Sequence, residues 1–339
     1  MDGVYGGIDL HATNSVVALI DGAGQLLYRR RLPNELRAIT AVLAPYREAL
    51  KGVVVESTFN WYWLVDGLME AGYPVRLANP TAIQVYSGLK HSDDETDARW
   101  LAELLRLGIL PTGYIYPRAE RGVRDLLRKR AQLVHQRTAN LLSLQNQVQR
   151  SRGVRVAGET FKTLTVAAVQ ELMPQPEVAE AMSANLQVVH CLNAQIAALE
   201  RSVRGRVQMR REFQQLQSIP GVGPILALTI MLEIGEIARF ASVGHFASYC
   251  RCVGSQRLSN GKKKGVGNAK SGNRYLAWAF IEAAQFARRY SAPIRQFHDR
   301  KAARTNAVVA IKTVAHKLAR AAYYIVRDQV PFNVTKAFC

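Results

Sequence analysis

Residues 5–31 read YGGIDLHATNSVVALIDGAGQLLYRRR, and residues 52–56 read GVVVE. The first stretch holds three short β-type runs, Tyr5–Leu10, Val16–Asp21 and Gln25–Arg31, separated by Ala-Thr-Asn and Gly-Ala-Gly turn segments. The second reads as a buried strand that ends in a carboxylate, Glu56. Working outward, Asn34–Leu50 carries Leu36, Ile39 and Val42/Leu43 on one helical face. Phe59–Ala71 reads as a helix, Val75–Ala78 as a strand, and Asp94–Leu107 as a helix closed by Gly108 and Pro111. Strands alternating with helices imply a mixed α/β sheet with covered faces.

The pattern changes from about Glu120. Arg121–Arg150 reads as one long helix, with Leu127, Val134, Leu141 and Val148 at coiled-coil spacing. A second long helix covers about Val178–Arg211, with Leu192, Ile196 and Leu199 on one face. Spacing leaves three arrangements open: an antiparallel pair within the chain, pairing between protomers, or ordinary packing on a domain. The link Ser151–Pro176 contains Gly153, Gly158, Pro174 and Pro176 and reads as loops and short helices. A third region begins at Gln217. There, a Gly-flanked turn over Ser218–Ala227 leads into an apolar helix, Phe246–Asn273 is loop-rich and basic, and Arg274–Arg289 and Thr305–Arg327 are helices.

Composition narrows the function. The 339 residues suffice for two domains or three, and a 48% hydrophobic fraction fits folded domains. No apolar run reaches the ~18 residues of a membrane span, and the N-terminus lacks a secretory pattern, so a cytoplasmic protein is expected. Cys191, Cys250, Cys252 and Cys339 suit neither a zinc ribbon nor a disulfide framework and read as reduced thiols. The formal charge of +19 points to a polyanion partner. The charge is clustered: no acid falls between Glu236 and Glu282, where eight basic residues run from Arg239 to Arg274. Charge alone does not separate DNA from RNA.

Four carboxylates carry the chemistry. Asp9 and Glu56 end strands, while Asp94 and Asp97 sit three apart on one face of a helix start. Strand ends and a helix start can converge on one edge of an α/β sheet. Carboxylates crowded there repel unless divalent cations neutralise them. Hard oxygen donors suit Mg²⁺ (or Mn²⁺), and paired metals suit in-line phosphoryl transfer. Taken singly, each acid reads better as a cap or a solvated residue; the order of the four together is what points to a metal site. His11, two residues after Asp9, is either near that site or a surface histidine. Trp61, Tyr62 and Trp63 form the densest aromatic cluster, for which core packing accounts for at least two. Ile219-Pro-Gly-Val-Gly-Pro224 reads as a helix-hairpin-helix in which Gly221 and Gly223 let backbone N–H groups approach a phosphate; the alternative is a plain tight turn. Ser259-Asn-Gly261 has β-turn composition, and spacing alone says no more.

Several of these segments together resemble one family. Gly7-Ile-Asp-Leu-His11, Val53-Val-Val-Glu56-Ser-Thr and Asp94-Glu-Thr-Asp97-Ala-Arg-Trp-Leu-Ala102 resemble the DEDD-type insertion-sequence transposases, and Ile219–Pro224, Ser255–Lys264 and Gly267–Ala277 resemble their C-terminal domain. The resemblance implies an α/β RNase H-like (RuvC-like) N-terminal domain over 1–117. A coiled-coil assembly region would follow over 118–212, then a mostly α C-terminal transposase domain with a helix-hairpin-helix over 213–339. It implies a DNA recombinase guided by a structured bridge RNA that pairs with target and donor DNA. A phosphoserine intermediate would form on Ser259, with Ser255 the nearest competitor because Asn260 stands where members often carry a second serine. Asp9, Glu56, Asp94 and Asp97 would be catalytic and hold Mg²⁺. Gly221, Gly223, Arg257, Lys262, Lys263, Lys264, Lys270 and Arg274 would contact nucleic acid. A homo-oligomer, dimer to tetramer, is implied, with the carboxylates of one protomer completing the serine site of another, in a nucleoid-associated enzyme. A metal-dependent nuclease or junction resolvase would need the carboxylates but not Ser259. A non-enzymatic scaffold would need neither. An actin-like kinase shares the Gly7-Ile-Asp9 opening but would require later phosphate loops that are not found.

Overall fold

The computed structural model describes residues 3–84, 86, 94–207, 210–254, 256–266 and 271–338. The chain divides into two compact units, residues 1–118 and 119–339.

The first unit is a mixed α/β sheet. Its strands are β1 (Val4–Leu10), β2 (Asn14–Asp21), β3 (Leu26–Pro33), β4 (Leu50–Glu56), β5 (Val75–Ala78) and β6 (Thr112–Gly113), in the order β3-β2-β1-β4-β5-β6. β1, β2 and β3 pair antiparallel, β4 and β5 join in parallel, and β6 closes the edge antiparallel. The central strands are apolar on both sides because helices cover both faces. Ile8, Val17, Leu19, Val53 and Val55 form one core with Ile39 and Leu43 of α1 (Leu36–Leu43) and with Leu64 and Leu68 of α2 (Tyr62–Glu70). A short helix, α3 (Pro80–Ile83), follows β5 and is capped by Asn79. On the opposite face Val16, Ala18 and Val54 pack beneath Ala98 and Leu101 of α4 (Asp94–Arg106).

The helix read over Asn34–Leu50 is shorter than expected. It stops at Leu43 because Pro45 cannot continue the ladder; a 3₁₀ turn takes Ala44–Tyr46, and Leu50 already belongs to β4. The other first-unit elements follow the expected pattern within a few residues.

The contact that sets the height of α4 is made by glycine. A Cβ on Gly7 would stand 1.9 Å from the Ala98 carbonyl oxygen and 2.8 Å from the Ala102 nitrogen. At its other end, Leu105 lies over Gly52, which pairs with Tyr5 near the start of β1. Arg106 there donates to the Gly22 carbonyl and to Glu103. α4 therefore runs antiparallel to β1, with its first turn at the C-terminal ends of β1 and β4.

Among the described residues, the regular structure of the second unit is helical apart from one hairpin. α5 (Arg118–Arg152) and α8 (Pro176–Val207) lie antiparallel in the same chain, and Leu127, Val203 and Val207 of the pair also pack into the core of the following helices. Arg130 pairs with Glu200, Arg137 donates to Asn193, and Leu141, Leu144 and Val148 meet Met182, Leu186 and Val189. The short helices α6 (Gly158–Thr163) and α7 (Val166–Leu172) supply Phe161 and Val169 to that core. Beyond them come α9 (Arg211–Leu216), α10 (Pro224–Ile234) and α11 (Val243–Tyr249), then the hairpin β7 (Gln256–Ser259) and β8 (Lys262–Val266). α12 (Arg274–Tyr290), α13 (Ala292–Arg304), α14 (Ala307–Asp328) and α15 (Val334–Phe338) complete the unit. α10 is buried from Leu226 to Ile234, as expected of a helix apolar on nearly every side. The segment expected to be loop-rich thus holds a helix end and a hairpin. Among the described residues no helix is long and apolar enough to cross a membrane.

Gly7→Val should destabilise the first unit by at least about 3 kcal/mol, because the new side chain meets backbone rather than a flexible side chain. Gly52→Ala, which meets the Leu105 side chain first, should cost less. Urea unfolding followed through amide exchange in β1 and α4 checks both.

Candidate functional site

The carboxylates of the first unit share one sheet edge. Ile8 of β1 is in register with Val55 of β4, so the next residues, Asp9 and Glu56, lie side by side near the ends of adjacent parallel strands. They share the face of Gly7 and Val54, which α4 covers. Asp9 is only 5% exposed, and Glu56 is half-buried. Asp97, half-buried, immediately precedes Ala98, the residue seated on Gly7. Asp94 opens the same helix one turn earlier; its side chain lies outside the described residues. Topology thus brings all four expected acids to one edge. Among the described residues, no three His, Cys, Asp or Glu groups are gathered closely enough to hold a metal ion. The His11 imidazole Nε2 lies 3.1 Å from Asp9 Oδ2, so His11 belongs to the edge.

Three loops at this edge are stapled together. The Asn34 Nδ2 donates to the His11 and Ala12 carbonyls at 3.0 and 3.2 Å, and the Asn60 Nδ2 donates to the same His11 carbonyl at 3.0 Å. Thr58 Oγ1 donates to Asn60 Oδ1 at 2.9 Å. Between them Phe59 is 84% exposed. Sequence reading passed over it as part of a helix that starts only at Tyr62. The signal was available: Phe59 precedes the apolar period of that helix rather than belonging to it. Trp61, by contrast, is buried and meets Tyr62 edge-on.

In the second unit, Ser259 ends β7 and pairs with Lys262 of β8 across the two-residue turn Asn260-Gly261. Both turn residues have positive φ, 50° and 71°, as a tight hairpin demands, and asparagine tolerates that geometry better than serine. Ser259, Lys262 and Lys264 are exposed at or near the hairpin tip. Ser255 and Lys270 lie outside the described residues, as do the side chains of Arg257 and Lys263.

The chain leaves and re-enters the helical core at one pinned neck. The Asn273 N–H donates to the Tyr249 carbonyl at 2.6 Å, and the Arg251 Nε and Nη2 donate to the Gly272 carbonyl at 3.1 and 2.9 Å. Gly272, at φ +91°, fits because a Cβ would stand 2.5 Å from the Tyr249 oxygen. Asn273 caps α12, its Oδ1 accepting from the Tyr275 and Leu276 N–H groups. Its Nδ2 donates to Glu233 Oε2 at 2.7 Å. Glu233, 4% exposed on α10, also accepts two hydrogen bonds from Arg128 of α5, at 2.7 and 2.8 Å. Burial works against the Arg128 charge, and the Glu233 hydrogen bonds more than offset it, so the guanidinium stays charged. This buried network was missed in the sequence. Its signal was a single acid inside the apolar run Leu226–Ile234. Arg274 lies over the Tyr275 ring and donates to its hydroxyl, so it is less free for phosphate than expected.

The two turn glycines differ. Gly221, at φ +84°, is pressed against α12, where a Cβ would stand 2.5 Å from the Ala287 nitrogen. Its missing side chain serves packing on α12. Gly223, at the N-cap of α10, has nothing within 4 Å of that position and does leave the backbone open. Burial raises both thiols of the Cys250/Cys252 pair, Cys252 to about 12, so neither is a ready metal ligand.

Comparison with known proteins agrees with this layout. Residues 6–151 match the DEDD transposase family model, and residues 213–299 match the transposase model of the IS116/IS110/IS902 family. The "Probable family 20 transposase" of Pseudomonas aeruginosa is 28% identical over 66% of this chain and 67% of its own length. The "Transposase for insertion sequence element IS1111A" of Coxiella burnetii is 24% identical over 82% and 76%. The "Transposase for insertion sequence element IS1328" of Yersinia enterocolitica is 23% identical over 96% and 98%.

Glu233→Ala should destabilise the second unit by about 3–5 kcal/mol, because it strands the Arg128 guanidinium and the Asn273 amide. Denaturant titration measures this, and an unchanged midpoint would remove the network from the account of the fold.

Proposed function

We propose that this chain, which belongs to the IS110/IS116 transposases and carries both of their domains, cuts and rejoins DNA through a phosphoserine on Ser259. What supports the reading is that Asp9 and Glu56 each follow a paired residue, Ile8 and Val55, on the sheet face that α4 covers. The strand order β3-β2-β1-β4-β5 supports the RuvC-like version of the RNase H fold for this unit. An all-oxygen donor set suits Mg²⁺ or Mn²⁺, which Asp9, Glu56, Asp94 and Asp97 would hold and which would act as a Lewis acid on the scissile phosphate.

The chain's own residues do the rest. Ser259 Oγ, exposed at the hairpin tip, attacks the phosphorus. The Oγ–P bond forms, the P–O bond to the leaving sugar breaks, and that sugar oxygen takes up a proton. A phosphodiester becomes a phosphodiester, so the reverse attack by a second DNA hydroxyl rejoins the strand without an energy source. Lys262 and Lys264 neutralise the phosphate oxygens as charge develops. Asn60 and Asn34 hold His11 beside Asp9 and keep the carboxylate edge in shape.

We read the chain as three functional parts: 1–117 for the carboxylates, 118–212 for assembly, and 213–339 for the serine. Exchange between two duplexes calls for more than one protomer, so a dimer to tetramer with the carboxylates of one protomer serving the serine of another is part of the proposal. The clustered charge suits a structured guide RNA as well as target and donor DNA.

Ser259→Ala should retain DNA binding and lose the covalent protein–DNA adduct seen on denaturing gels. Continued cutting by this variant would assign the attack to water and make the enzyme a nuclease. Asp9→Asn should lower adduct formation by at least about 100-fold while leaving the fold intact. Sequencing RNA that co-purifies with active protein tests the guide, and recovery of no specific RNA removes that part.

A further inference from the structure

We propose that the stacked rings of Phe286 and Tyr290 form a platform for an unpaired nucleotide beside the α9–α10 turn. This rests on the nucleic-acid reading of that turn and deepens it, from any backbone to a single strand. The two rings lie nearly parallel, 6.4 Å apart at 9°, at the end of α12. Tyr290 is 73% exposed, so a large aromatic surface is held in water with no core to serve. The pair walls a cleft of about 490 Å³ whose other wall is the Ile219–Leu226 turn. That volume falls within the range of about 300–1,000 Å³ usual for small-ligand sites.

Turn and platform are one rigid body. Gly221 is packed so closely on α12 that a Cβ would stand 2.7 Å from the Phe286 Cβ. Gly223 leaves the mouth of the cleft open. One cation stands at the platform: the Arg289 guanidinium lies 5.8 Å over the Phe286 ring. A cation beside exposed stacked rings suits a nucleotide, whose base continues the stack while its phosphate meets the charge. Bases in a duplex have both faces covered, so only an unpaired base can lie on Tyr290.

The test uses the full-length chain with a labelled oligo(dT) strand, an oligo(U) strand and a DNA duplex of equal length, read by anisotropy. Tyr290→Ala should weaken both single strands by about 5- to 100-fold and leave the duplex unchanged, while Tyr290→Phe should bind like the parent. Equal loss on all three probes would make Tyr290 a support for the turn and overturn the platform, as would no loss on any. Loss on oligo(U) alone would narrow the platform to RNA. Gly223→Asp places a carboxylate at the open mouth, at an N-cap position that tolerates it. It should weaken every probe. If it does so while Tyr290→Ala has no effect, only the platform fails. If Gly223→Asp changes nothing, the nucleic-acid reading of the turn fails.

Discussion

The first unit depends on a place where no side chain fits. α4 rests on β1 through backbone at Gly7, against Ala98 and Ala102. Small residues on both surfaces let helix and strand approach closely. That approach fixes how far the helix stands above the sheet and which of its turns overhangs the strand ends. Asp97 is one residue from the contact, so its position is determined to within the rigidity of one helical turn. The acids would sit at a different height if the contact were made by ordinary side chains. The glycine therefore governs the position of residues it does not touch.

The second unit depends on a different kind of constraint. Arg128, Glu233 and Asn273 join three helices through a buried charged pair and a buried amide. Such a pair contributes less net stability than its short distances suggest, because Glu233 loses its water and Arg128 keeps only part of its own. Its larger effect is to exclude alternatives. Any shift of α12 along α10 breaks hydrogen bonds that have no water to replace them. The neck that holds the basic hairpin is part of α12's start, so the hairpin inherits that fixed origin.

Much of the first unit was legible in the sequence because its signals are local. Strand-length apolar runs, a helix period and acids at element ends are each visible within a few residues. The edge shared by Asp9 and Glu56 needed one further step, the parallel pairing of β1 with β4. What was not legible depends on distance or on solvent. Arg128 and Glu233 are 105 residues apart, and no local pattern pairs them. The exposure of Phe59 and Tyr290 is decided by where neighbouring helices end, not by residue type. The helix over Asn34–Leu50 was drawn too long because its apolar period runs on into Pro45 and then into a strand. Gly221 and Gly223 look alike in the motif, and only the position of α12 separates their roles.

The neck at Tyr249 and Asn273 has a consequence for how the protein folds and how it changes. Its two ends meet at a hydrogen bond of 2.6 Å, so the chain between them closes a loop whose entropic cost is met at its base. The helical core can form without waiting for the hairpin to find its shape. Substitutions at the tip are then nearly invisible to the folding of the core. Selection can adjust the charge and reach of the hairpin on one axis and stability on another. A segment attached in this way can diverge faster than the scaffold that carries it.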